Sequence, residues 1–146
     1  MPGKPRPLWT CPKCGERFIT RNMWHSCGKF TLEALFARSE PHIAKIFRKF
    51  AQLVRSNGPA HMIPQKTRVV FQTRMRFAGA MPRKSHLLCT FALTREVKSR
   101  RFQKVEKFSP RCYGYYLPVR CESELDAEVG AWLKEAYAVG QQKHLA

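Results

Sequence analysis

Acid is scarce in this sequence. Its 146 residues hold 10 Asp and Glu against 27 Lys and Arg, a formal net charge of +17. Such an excess strains the compact state by self-repulsion, and an anionic partner is the usual reason to tolerate it. Long apolar runs are missing too, so no membrane-spanning helix is expected. Met1 to Pro7 carries charge with no apolar segment behind it. That argues against a secretory signal, and a cytoplasmic location is expected. The patterns G-x-S-x-G, Walker A and G-x-G-x-x-G do not occur, which removes three common routes to catalysis. What is present is 44% hydrophobic and 12% aromatic residues. That is too apolar for a disordered chain, and the length suits one domain with or without a small appendage.

The charge is unevenly placed. Residues 61–120 hold fourteen basic and two acidic side chains, whereas residues 121–146 hold two basic and five acidic. The middle of the chain is therefore the basic body, and its end is acidic.

Six cysteines lie at 11, 14, 27, 89, 112 and 121. The first three are set apart by spacing. Cys11-Pro12-Lys13-Cys14-Gly15 is followed by His25-Ser26-Cys27, giving C-x2-C-x10-H-x-C. Four N/S ligands from Cys11, Cys14, His25 and Cys27 suit a closed tetrahedral structural Zn2+ site, with no position left open for catalysis. Cys89, Cys112 and Cys121 lack companion spacing and read as ordinary thiols.

Hydrophobic periodicity divides the rest. A short helix is expected over 30–38. A second begins with Ser39 as N-cap and Pro41 in its first turn, its apolar side formed by Ile43, Ile46, Phe47, Phe50, Leu53 and Val54. Asn57-Gly58-Pro59 stops it. From Thr67 to Phe77 the period falls to two, indicating a strand or a strand pair with Arg68, Arg74 and Arg76 on one face. Further strands are expected near 87–93, 102–108 and 113–119. Ser123 is read as the start of a last helix, with Asp126 inside its first turn and Gly140 at its end. This order implies an α+β fold: an N-terminal zinc knuckle, helices, an antiparallel sheet of about four strands, and a C-terminal helix. Residues 1–29 form the knuckle with its basic tail, and 30–146 the α+β domain.

Nucleic acid is the partner these features favour. Arg68, Arg74 and Arg76 would form a guanidinium row, extended by Arg83 and Lys84 in the next turn. Lys98, Arg100, Arg101, Lys104 and Lys107 would add a basic loop and strand. Guanidinium forks match phosphate geometry, but such contacts position a backbone without reading its sequence. Phe108 and Tyr116 are candidates to stack unpaired bases. Catalysis is the weaker reading. Metal-dependent cleavage needs convergent carboxylates, yet the basic segment offers only Glu96 and Glu106. The alternative to nucleic acid is an adaptor for an acidic protein, or a binding domain for a small anionic ligand, which would require a pocket under the sheet.

The opening segment resembles a known pattern. Trp9, Cys11, Pro12, Cys14, Gly15, Phe18, Asn22, His25, Ser26 and Cys27 are similar to the W-x-C-P-x-C-G-x-x-F-x-x-x-N-x-x-H-S-C opening of an uncharacterised bacterial domain family. Lys66-Thr67, Arg74, Phe77-Ala78, Leu125-Asp126, Trp132-Leu133 and Ala136-Tyr137 extend the similarity along the chain. Met23 departs from the expected Gln. The resemblance implies a small α+β domain with a zinc-type appendage. Relatives fused to nuclease-like segments hint at nucleic acid.

Overall fold

Helical structure begins where apolar residues recur at three- and four-residue steps. The computed structural model describes residues 7–12, 17–19, 21 and 30–143. Helix α1 spans Leu32–Phe36, and the Thr31 hydroxyl caps it by accepting from the Ala34 N–H at 3.2 Å. Helix α2 spans Pro41–Arg55 and buries Ile43, Ile46, Phe47, Phe50, Ala51 and Val54. Its cap position is Glu40 rather than Ser39, with no side-chain hydrogen bond. Pro41 brings no N–H of its own to satisfy. The Glu40 N–H instead reaches the Lys84 carbonyl at 2.9 Å, which fixes the helix start to the sheet.

Beyond α2 the chain reverses at Gly58, whose φ of +141° favours glycine. A Cβ there would also meet the Tyr137 hydroxyl at 2.5 Å. Six strands follow: β3 at His61–Pro64, β4 at Val69–Gln72, β5 at Arg76–Pro82, β6 at Leu87–Leu93, β7 at Lys104–Ser109 and β8 at Cys112–Val119. They form one antiparallel sheet in the order β3-β4-β5-β6-β8-β7. The sheet therefore exceeds the expected four strands. The alternating run after Thr67 is split by a turn at 73–75, and β3 is too short to announce a period. A separate two-stranded ribbon pairs β1 (Trp9–Thr10) with β2 (Arg17–Phe18).

The last helix, α3, spans Ala127–Gly140. Glu122–Glu124 forms a separate 3-10 turn, and Asp126 caps α3 by accepting from the Val129 N–H at 3.2 Å. Asp126 thus sits before the helix, not inside it, which is where a short carboxylate best satisfies an orphan N–H.

Alternation gives the sheet two different faces. Val69, Phe71, Leu87, Cys89, Phe91, Leu93, Tyr115, Leu117 and Val119 point toward α2 and α3 and form the core with them. Phe91 stacks on Trp132 at 5.8 Å, and Phe102 lies 4.6 Å from Tyr115. Rings at these separations add to the gain from burial alone. The opposite, outer face carries Val70, Gly79, Thr90, Tyr116 and Lys104 as one cross-strand row.

Candidate nucleic-acid interface

The ten predicted phosphate ligands do not stay together. A bulge between Phe71 and Gln72 sets Gln72 opposite Arg76, so Arg76 points to the outer face while Phe77 turns inward against Tyr137. Arg68 reaches the same outer face from the β3–β4 turn. Arg74 does not join them. It lies in the β4–β5 turn, where its N–H and that of Met75 donate to the Gly140 carbonyl at 3.1 and 3.0 Å. Its Nε donates to Gln142 at 3.0 Å. This clamps the turn to the end of α3, and the expected three-arginine row is not formed.

Arg101 also departs from expectation. Its guanidinium contacts the Asp126 carboxylate at 3.1 Å and Glu128 at 2.9 Å, donates to the Glu124 carbonyl, and lies 5.8 Å from the Trp132 ring. Those partners hold it on the helix side, so it is a structural clamp for the start of α3. Arg95 does the same farther along, bidentate to Glu135 at 2.8 Å for both bonds. That hydrogen bond holds the Glu135 carboxyl below its usual range. Burial opposes ionisation of Asp126, but the Val129 N–H and Arg101 outweigh it and hold this carboxyl low as well.

The remaining cations face solvent. Arg83 and Lys84 are exposed in the β5–β6 turn, and Lys98 and Arg100 are exposed in the β6–β7 loop. Among the described residues, none of these four nor Arg68 makes an ion pair with a carboxylate. His86 reports the field at the β5–β6 turn: burial first, then Arg120 and Arg83, push its pKa down. Lys107 rests over the Tyr113 ring at 5.8 Å. Lys104 lies 5.3 Å from the Tyr116 ring and pairs with Glu106 at 3.1 Å. Tyr116 donates to that same carboxylate at 2.6 Å, which lowers the Glu106 pKa, with Lys104 assisting.

Of the predicted cations, Arg68 and Arg76 border a trough on the outer face. A cavity of about 180 Å³ lies between Gln65, Arg68 and Arg76 on one side and Phe108 and Tyr116 on the other. Val70, Thr90, Ala92 and Gly114 line its base. The trough escaped sequence reasoning because it depends on small residues from different strands coming into register. With its amide oriented to accept, Gln65 receives the Arg76 guanidinium at 3.2 and 3.3 Å. Phe18 lies 5.2 Å from that guanidinium, and the Gln72 amide donates to the Arg17 carbonyl. The β1–β2 ribbon is thereby tied to this face, and Arg76 serves as its anchor.

Of the four expected zinc ligands, Cys14, His25 and Cys27 lie outside the described residues. Cys11 is 4% exposed, just past β1. A thiol withdrawn from water in this way fits one corner of a structural Zn2+ site. Among the described residues no three His, Cys, Asp or Glu side chains converge to hold a metal. No described helix is long and apolar enough to cross a membrane.

The family described as Domain of unknown function (DUF5655) matches residues 32–140. The chain belongs to this family. The match spans α1 to α3 and stops short of the cysteine-rich opening, so DUF5655 membership rests on the α+β body and not on the W-x-C-P-x-C-G motif. Neither a curated protein nor a solved structure matches the DUF5655 chain.

Proposed function

We propose that this DUF5655 protein binds nucleic acid through the phosphate backbone, using the outer sheet face and the adjoining cationic turns. One observation carries the reading. Arg95 and Arg101, directed toward α3, are matched by carboxylates, whereas among the described residues Arg68, Arg83, Lys84, Lys98 and Arg100 form no ion pair. Charge left unmatched on an acid-poor chain attracts a polyanion and releases its counterions. Lys104 flanks this surface on the edge strand, whereas Lys107, opposite Tyr113, lies on the helix side of it. Arg76 supports it from beneath as the anchor of the ribbon.

A structural Zn2+ held by Cys11, Cys14, His25 and Cys27 belongs to the same proposal, as a staple for a segment with little core. Elemental analysis of the purified protein should find about one zinc per chain, lost in Cys14→Ser. A cytoplasmic site of action accords with the free thiols of Cys89, Cys112 and Cys121.

The test is a salt titration of oligonucleotide binding. Log affinity should fall linearly with log salt, each phosphate contact adding about 0.9 to the slope on duplex DNA. Absence of binding at low salt defeats the proposal.

A further inference from the structure

We propose that the outer-face trough receives one unpaired nucleotide of a single strand, with the base against Phe108 and the adjoining phosphate against Arg68. This rests on the nucleic-acid reading above and narrows it to a strand whose bases are free to leave the stack.

Size comes first. Pockets for drug-sized ligands run to roughly 300–1,000 Å³, and this one holds about 180 Å³. It accommodates one planar group, not an entire cofactor. Its base is low because Ala92 and Gly114 are small and adjacent across β6 and β8. A Cβ on residue 114 would come within 2.6 Å of the Phe108 ring, so glycine is what lets that ring settle over the sheet.

Chemistry separates the two aromatic candidates. Phe108 is 62% exposed, an apolar ring left in water at the trough wall. Tyr116 is already engaged: Lys104 covers its ring and its hydroxyl is given to Glu106. Phe108 is therefore the stacking platform. Arg68, exposed and in no ion pair among the described residues, supplies the phosphate contact from the far side. A duplex keeps its bases stacked and presents mainly phosphate to such a shallow surface, so it forgoes the Phe108 contact.

Fluorescence anisotropy with a short labelled single strand, its duplex, and free AMP as competitor tests this. The single strand should bind more tightly than the duplex. Phe108→Ala should weaken single-strand binding by about 5- to 100-fold and leave duplex binding unchanged, and Phe108→Tyr should restore it. Arg68→Ala should weaken both and reduce each salt slope by about one. If both nucleic acids bind and Phe108→Ala alters neither, the trough assignment fails while the backbone reading stands. If neither binds at low salt, both fail. If AMP competes as well as a strand does, the trough is a small-ligand site and the single-strand assignment is overturned.

Discussion

Toward the helices, Arg95 and Arg101 each grip carboxylates of the α3 segment, and Arg101 also lies near the Trp132 ring. On the outer face, Arg68 stands in solvent across a shallow trough from Phe108. The same side chain does two different jobs on the two sides of one sheet. Where acid is near, arginine fastens secondary structure. Where no acid lies within ion-pair reach, it remains available to an external anion. The net charge of +17 already cancels these pairs, so the whole excess falls on cations outside them.

Breaking each side should give separable results. The largest effect is expected on the helix side from Trp132→Ala, which empties the aromatic cluster with Phe91 and Phe102 and should cost about 3–5 kcal/mol. Urea denaturation measures it. Arg101→Ala comes next, at about 1 kcal/mol, since water takes over at the half-exposed Asp126 and Glu128 carboxylates. Its salt slope for nucleic acid should match that of the unaltered protein. A triple reversal, Arg68→Glu, Arg83→Glu and Lys84→Glu, should do the opposite. Stability should stay nearly constant, because exposed charges contribute little, while the salt slope becomes shallower by about three.

The smallest effect expected is a pH dependence at His86. Burial and the neighbouring Arg120 and Arg83 depress its folded pKa below the ordinary 6.5. The unfolded chain then binds the proton more readily, so stability is complete above 6.5 and declines as pH falls through the folded value. His86→Gln should remove that decline. A polyanion seated on Arg83 and Arg120 should raise the His86 pKa, which an NMR titration reads directly. On the helix side, Glu135 and Asp126 have depressed carboxyl pKa values. Their contribution persists above the ordinary carboxylate range and disappears as pH falls through their folded values.

Element type was largely legible in the sequence. The apolar steps of α2 and the alternation of β6 and β8 follow directly from 3.6- and two-residue periods. Boundaries were less so. Ser39 resembled a cap, but the Glu40 N–H took a partner 44 residues away. Ser123 resembled a helix start, but Asp126 was the better cap. The arginine row failed for a related reason: a turn at 73–75 and a bulge at Phe71/Gln72 reset the parity that joined Arg74 to Arg76. The neutralisation of Arg101 was not visible locally, because its carboxylates lie 25 and 27 residues away. Local pattern reports which face a residue prefers, whereas the identity of its distant partner is decided by topology.

The strand order has a consequence for how the chain is made. β6 pairs on one side with β5, its predecessor, but on the other with β8, while β7 lies outside both. Until Cys112–Val119 has been synthesised, β6 is an open edge bearing Leu87, Phe91 and Leu93. Such an edge is a template for pairing with another chain. The tight 110–111 connection lets β7 and β8 meet locally and dock as a hairpin in one step. Once docked, the exposed margin passes from an apolar strand to β7, where Lys104 and Lys107 discourage further pairing.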